Sequence, residues 1–563
     1  MMNQTVFDTS KILALKGVRH VVISPGSRNA PLTISFARNP DIKTYSIVDE
    51  RSAGFIALGI AQKLKEPVAL CCTSGTSLLN YAPAVAEAYY QQIPLIIISA
   101  DRPSELIGQR DGQAIDQLGS LSNFVLKTQQ LPANPSTPDQ IWEYTRKLNE
   151  AVNIATTGTH GPVHINIPFR EPFYPLEDQK LHFSENVHVV ESYAGSLKMN
   201  YDELLSEWGQ YNRKLIVVGQ KAIDPELEDA LERLLGHVTI VADVISNVKL
   251  YEAIRHHDLF LANAEEKLGQ SLKPDLVITL GMSVISKSLK LFLRKYAPSA
   301  IWHFDNNLVY ADTFKGISKL IAGEPSLFFN EVDVNQDIPE FNQQIIKNFV
   351  QNWSVEDSKT SRKLNETLDT TEYSEFKAFY MVLDMIPDHS DIHLANSMPV
   401  RFANFIQNIK PGCEVYANRG TSGIDGTNGT AVGNALATDR PTYLLTGDLS
   451  FFYDRNAFFH HHEINNLKII VMNNNGGGIF RLIQGPSQLP ELEQFFETRH
   501  KHTAKYTALE YGFDYHAVKS EETLTKAMMS INKDLKTPKL VEIFTNPEIN
   551  AEVFHKVKNS LKN

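Results

Sequence analysis

The feature that most constrains this chain is a repeated unit: a short apolar run, a turn of small and polar residues, then a helix-like segment. In the first third the runs are "VRHVVIS" (18–24), "YSIVD" (45–49), "PVALCC" (67–72) and "PLIIIS" (94–99). They end in "PGSRN", "ERSAG", "TSGTS" and "ADRP". Strand, turn and helix in succession predict βαβ units and parallel sheets. The strands are almost continuously apolar, as expected of a sheet covered on both faces. A second block begins at "KLIVVG" (214–219) and continues to "AIWHFD" (300–305). A third carries "EVYAN", "TYLLTG", "LKIIVMN" and "PKLVEIF". The expected class is α/β, with three doubly wound domains over 1–183, 184–353 and 376–563. The polar stretch 354–375 reads as a linker with some helix. The outer blocks share a rhythm but no sequence repeat.

Composition removes several function classes. A net charge of −11 argues against general binding to nucleic acid or membrane surfaces. The cysteines Cys71, Cys72 and Cys413 form no CxxC, which fits a reduced, cytoplasmic protein. The N-terminus lacks the apolar stretch of a signal peptide, and "IPLIIISA" (93–100) is too short to span a bilayer.

The stretch "VMNNNGGGIF" (471–480) directly follows an apolar run and suits no core. Upstream, "TYLLTGDLS" is a strand ending in Gly447-Asp448, and Asn474 lies 26 positions after Asp448, one βαβ crossover. Consecutive parallel strands end at one sheet edge, so Asp448 and Asn474 should emerge side by side, where α/β proteins bind ligands. A carboxylate, an amide oxygen and a glycine carbonyl are hard donors suited to Mg²⁺ or Ca²⁺ with phosphate oxygens. Turn geometry supplied by Asn and Gly is the plainer account of the same residues. Asp49 and Glu50 stand similarly open, as complements to a helix N-terminus or as chemistry at a strand end.

Gly-Asp followed by Asn-Asn at this spacing resembles the diphosphate-metal motif of thiamine-diphosphate-dependent enzymes, with Leu449 where that family usually has Gly. The resemblance implies that Asp448, Asn474 and the Gly476 carbonyl hold Mg²⁺ (or Mn²⁺). It implies that Gly447, Leu449, Ser450 and Ile479 line the cofactor, as do Thr73, Ser74 and Gly75 of "TSGTS". Glu50 becomes the acid facing the aminopyrimidine. Domain 1–183 then binds the aminopyrimidine, 376–563 binds the diphosphate, and 184–353 is mainly structural. The family pattern places Glu50 and Asp448 on different subunits, so a homodimer or homotetramer is implied. The small-residue helix after Glu50, with Gly54, Ala57, Gly59 and Ala61, suits close interface packing.

The stretches "SPGSRNAPLT", "DERSAGF", "ADRP", "NRG" with "SGIDG", and "GDLS" are similar to one branch of that superfamily. This is the synthases that make 2-succinyl-5-enolpyruvyl-6-hydroxy-3-cyclohexene-1-carboxylate in menaquinone biosynthesis. The implied reaction decarboxylates 2-oxoglutarate and adds the remaining four-carbon unit to isochorismate. These substrates carry four carboxylates, one of which leaves as CO₂. Arg28, Arg102, Arg401 and Arg419, all at predicted strand ends or loops, suit them by paired N–H bonds. The resemblance adds Ser27, Gln113, Lys287 and Phe480 to the substrate site. It places Ser397 near the cofactor's reactive end and makes Ile424 the apolar residue that bends the cofactor. Gly112, Gly478 and Arg481 depart from the family's pattern around the pocket.

Other motifs fail on spacing. "GMSVISKS" (281–288) has Ser286 where a P-loop needs Gly. On a helix, His460–His462 would point about 100° apart and cannot share a metal, which suggests a partly exposed helix. No GxGxxG follows a predicted strand. Two rivals remain: an acetolactate synthase-like carboligase, and a catalytically silent binding member of the fold.

Overall fold

The apolar runs become the strands of three sheets in which every pairing is parallel. The computed structural model describes residues 3–561 except 176–178, 180, 194–198, 335–337, 484 and 534–535. The first sheet holds β1 (His20–Ile23), β2 (Lys43–Ser46), β3 (Val68–Cys72), β4 (Leu95–Asp101), β5 (Lys127–Gln130) and β6 (Val163–Pro168), in the order β2-β1-β3-β4-β6-β5. The second holds β7 (Lys214–Val218), β8 (Thr239–Ala242), β9 (Leu276–Leu280), β10 (Ala300–Phe304) and β11 (Ile317–Ile321), in the order β11-β10-β9-β7-β8. The third holds β12 (Asp391–Leu394), β13 (Glu414–Tyr416), β14 (Thr442–Gly447), β15 (Leu467–Asn473), β16 (Asp514–Val518) and β17 (Lys539–Phe544), in the order β13-β12-β14-β15-β17-β16.

Counted from its own first strand, the third sheet repeats the order of the first. Strands β3, β4 and β6 are buried along their whole length, which explains their uninterrupted apolar character. The helices that follow the second strand of each outer sheet, Glu50–Leu64 and Thr427–Ala437, pack on each other. A Cβ on Gly59 would fall under 3.0 Å from the Thr430 carbonyl oxygen, and one on Gly433 under 3.0 Å from that of Ile56. The small-residue face after Glu50 is therefore used inside the chain at Gly59, and Gly54 packs on Ala84 and Tyr81 of its own unit.

Residues 354–370 belong to a 31-residue helix, Glu340–Thr370. Its buried residues Ile346, Phe349, Trp353, Thr360, Leu364 and Leu368 are spaced by three, four or seven residues, one face of a helix. Trp353 enters the core of the second unit, and Leu364 and Leu368 enter that of the third.

The histidine run departs from the helical expectation. Residues 460–462 are irregular and follow the 3₁₀ turn Arg455–Phe458. His460 Nδ1 accepts from the His462 backbone N–H (3.1 Å), a local bond that competes with helix. His462 Nε2 accepts from the Ser46 N–H (3.1 Å), capping the edge strand β2. Among the described residues no helix is long and apolar enough to cross a membrane.

Candidate active site

In a parallel sheet all strands deliver their C-terminal ends to one edge. At the first sheet this edge gathers Ser27 and Arg28 after β1, Glu50 after β2, Thr73–Gly75 after β3 and Arg102 after β4. A Cβ on Gly26 would strike the Thr73 side chain, and Gly75 (φ 91°) lies against the backbone of Gln113. Gly75 N–H donates to Gln117 Oε1 (2.7 Å), fixing the turn. Ser27 and Gln113 are exposed at its rim.

Glu50 opens its helix beside Asp49, whose side chain accepts from the Ser52 N–H (3.1 Å). Burial raises the Glu50 carboxyl pKa, and the charge on Asp49 adds to this. Its charge is felt by buried Cys72 and Tyr81 of the same unit.

The third sheet's edge gathers Ser397 after β12, Arg419 after β13, Asp448 after β14, and Asn474 and Gly476 after β15. Asp448 is buried; its Oδ1 accepts from Leu449 N–H (2.7 Å) and its Oδ2 from Gly476 N–H (3.0 Å). Asn474 is also buried, and its Oδ1 has no hydrogen-bond partner among the described residues. Gly476 adopts φ 157°, and a Cβ there would strike the Glu497 carbonyl oxygen. Ser397, at φ 73°, holds a conformation that costs a non-glycine residue about 1–3 kcal/mol and is concentrated at functional sites. Ser450 Oγ donates to the Ile424 carbonyl (2.6 Å), while the Ile424 side chain remains 42% exposed. Ile479 and Phe480 are partly buried, the Phe480 ring 5.7 Å from that of Phe496.

The four arginines fall into two pairs. Arg28 is buried, donates from Nη1 to the Phe169 carbonyl (2.8 Å) and lies 4.8 Å over the Phe173 ring. Burial lowers its pKa, and the neighbouring Arg102 charge lowers it further. Arg102 pairs with Asp111 (2.8 Å) and donates to the Gly112 carbonyl. Arg401 Nη1 donates to the Ser397 carbonyl (2.5 Å) and Arg419 Nη1 to Asn396 Oδ1 (2.9 Å). Burial lowers the pKa of both, and for Arg419 the Arg401 charge adds to it. Arg419 Nε is buried without a partner among the described residues. Among the described residues no carboxylate comes within ion-pair distance (4.0 Å) of Arg28, Arg401 or Arg419. Desolvating a cation without a counter-charge is costly, so such a set is what an anionic ligand would relieve.

Other residues divide differently. Lys287 is exposed at the start of the helix Lys287–Lys295, which Ser286 caps by accepting from Leu289 N–H (3.1 Å). One turn on, Lys290 is the lysine that feels the Arg419 charge. Arg481 is engaged, with Nε and Nη2 each 2.8 Å from Glu497.

Sequence reasoning missed His500 and Glu375, which lie by Asp448 and Asn474, and Glu87, which lies at the loop after β13. His500 Nε2 lies 3.3 Å from Asp448 Oδ2. Glu375 Oε2 accepts from Asn474 Nδ2 (2.8 Å), and its pKa is pushed up to about 7 by burial, with the Asp448 charge adding. Glu87, also buried, accepts from the N–H groups of Gly420 and Thr421 (2.7 Å each), tying the first unit to the loop after β13. Each is a lone acid or histidine whose partner lies far away in sequence, and no local pattern marks it.

Within one chain the surroundings of Glu50 and Asp448 differ. Asp49 accepts from Asn456 Nδ2 (2.8 Å) and Arg51 donates to the Tyr453 carbonyl (2.8 Å), at and just past the opposite end of the helix Asp448–Tyr453 from Asp448. Among the described residues no group of three or more His, Cys, Asp or Glu side chains is placed to hold a metal. A divalent ion at Asp448 would therefore draw on amide, carbonyl and phosphate oxygens, and the unpartnered Asn474 Oδ1 fits that donor set.

The two outer units match known family models. Residues 7–120 match the thiamine pyrophosphate enzyme N-terminal TPP binding domain, and residues 397–543 match the C-terminal TPP binding domain. A 2-succinyl-5-enolpyruvyl-6-hydroxy-3-cyclohexene-1-carboxylate synthase of Cytophaga hutchinsonii is 40% identical, with 99% of each chain covered. Synthases of the same name from Flavobacterium psychrophilum and Flavobacterium johnsoniae are 41% and 39% identical, covering 96% and 95% of each chain. The chain therefore belongs to the 2-succinyl-5-enolpyruvyl-6-hydroxy-3-cyclohexene-1-carboxylate synthase family of thiamine pyrophosphate enzymes.

Proposed function

We propose that this protein decarboxylates 2-oxoglutarate and joins the remaining four-carbon unit to isochorismate, releasing CO₂, as a cytoplasmic enzyme of menaquinone biosynthesis. The observation that carries this reading is the set of arginines, Arg28, Arg401 and Arg419, withdrawn from water without carboxylate partners. Two dicarboxylates suit them better than a monocarboxylic acceptor would.

Thiamine diphosphate supplies the nucleophilic carbon and the electron sink. Asp448, Asn474 Oδ1 and the Gly476 carbonyl would hold its Mg²⁺ or Mn²⁺, and Thr73–Gly75, Gly447, Leu449 and Ser450 would surround it. Glu50 would face the aminopyrimidine and exchange a proton with it; burial raises its carboxyl pKa, the direction that role requires. Arg28 with Arg102 and Arg401 with Arg419 would bind carboxylates, with Ser27, Gln113, Lys287 and Phe480 at the pocket wall. Ser397, Ile424 and Ile479 would shape the space around the reacting centre. We propose a homodimer, or a tetramer of such dimers, in which Glu50 of one subunit meets Asp448 of the other. The separate surroundings of these residues in one chain support that assembly.

The test supplies thiamine diphosphate, Mg²⁺, 2-oxoglutarate and isochorismate and identifies the product by mass. A product equal to isochorismate plus 2-oxoglutarate less CO₂ is expected. Turnover of pyruvate in preference to 2-oxoglutarate would favour the acetolactate synthase-like alternative. Folded, cofactor-loaded protein that releases no CO₂ would favour a silent member of the fold.

A further inference from the structure

Asn474 can serve a cation only if its amide oxygen, not its nitrogen, faces the Asp448 side. We propose that Glu375 is the positioning residue that fixes this orientation, an inference that rests on the metal-site reading above. Glu375 lies in the first turn of the helix Glu375–Met385 and is buried. Its backbone N–H donates to Asn550 Oδ1 (2.8 Å), and Asn550 Nδ2 in turn donates to Thr545 Oγ1 (2.9 Å). The acid is thus held from the C-terminal helix Pro547–Ser560.

The group of Asn474 that meets Glu375 Oε2, at 2.8 Å, is the Nδ2 donor, and the carboxyl oxygen accepts from it. Oδ1 then points away from Glu375 and is left buried with no partner among the described residues. Gly478 provides the space for this arrangement, because a Cβ there would lie 2.8 Å from Asn474 Nδ2. The departure at Gly478 thus has a structural use beside the Glu375–Asn474 pair.

The test measures Mn²⁺ binding to the full chain with thiamine diphosphate present, by the paramagnetic resonance signal of free Mn²⁺. Glu375→Met removes the acceptor, and its Kd for Mn²⁺ should rise about 10- to 100-fold, the usual range for a residue supporting a ligand. At saturating Mn²⁺, kcat should return close to the wild-type value, a split that a merely structural defect would not give. Glu375→Gln retains an acceptor oxygen and should bind Mn²⁺ more tightly than Glu375→Met. If Glu375→Met does not fold, the paired exchange Glu375→Gln with Asn474→Asp decides. It reverses donor and acceptor, and it should bind Mn²⁺ more tightly than Asn474→Asp alone. A Kd for Glu375→Met within twofold of wild type, or no recovery in the paired exchange, overturns the inference. Asn474→Ala separates the two readings: if it too leaves Mn²⁺ binding unchanged, the metal site itself is misassigned.

Discussion

Gly59 and Thr430 meet across the first and third units with no room for a side chain between them. The contact is reciprocal, since Gly433 meets the Ile56 backbone in the same way. Each pair joins a helix of one unit to the equivalent helix of the other.

Gly59→Ala should therefore weaken the fold although alanine favours helix. The added methyl group meets backbone, which cannot rotate aside, and overpacking of this kind costs about 1–3 kcal/mol. Equilibrium urea unfolding of the cofactor-free protein should show a lower midpoint. An unchanged or higher midpoint would mean that the two helices part without cost.

Gly447→Ala is the complementary case. Its φ of −86° suits any residue, and a Cβ there would meet nothing within 4 Å. Thermal stability of the cofactor-free protein should hold or improve slightly, as replacing such a glycine gains roughly 0.4–1 kcal/mol. Thiamine diphosphate affinity, measured by calorimetric titration, should nevertheless fall. Unchanged affinity would remove Gly447 from the cofactor's surroundings.

Asp454 gives a pH dependence of defined sign. It is fully buried, accepts from Gly429 N–H (3.0 Å), and its pKa is pushed up to about 7, chiefly by burial. A carboxyl whose pKa rises on folding stabilises the fold below its unfolded value of about 4. That stabilisation is lost as pH climbs through 7. Asp454→Asn keeps an acceptor for Gly429 and cannot ionise. Its melting temperature relative to wild type should be higher at pH 8 than at pH 5. A difference independent of pH would show that Asp454 does not titrate in this window.

Sharing of sites between subunits can be tested by complementation. Glu50→Gln and Asp448→Asn should each be nearly inactive alone. A statistically mixed dimer population carries one intact site per hybrid, so roughly a quarter of wild-type activity should return. Proven subunit exchange without recovery would place both residues in one chain's site.

The parts of this molecule legible in its sequence are those carried by local pattern. Apolar runs gave most of the strands but not β5, β6, β11, β12 or β16, of which β5 (KTQQ) carries no apolar residue, and turn residues marked the edge where Glu50, Asp448, Asn474 and the arginines appear. The long helix was half legible, because Ile346, Phe349, Trp353, Leu364 and Leu368 hold helical spacing within a polar stretch. The repeated strand order was not legible: connections fix it, and different residues can build the same sheet. Glu375 was hidden for a related reason. It looks like an ordinary first-turn acid, and its partner Asn474 lies 99 positions away.

The helix Glu340–Thr370 has a mechanical consequence. Its 31 residues span about 46 Å. Held near its middle by Trp353 and near its C-terminal end by Leu368, it joins the second and third units through continuous helix rather than a loop. A displacement imposed on the middle of the molecule would travel along it as along a lever, and a protease would find no slack cord there to cut.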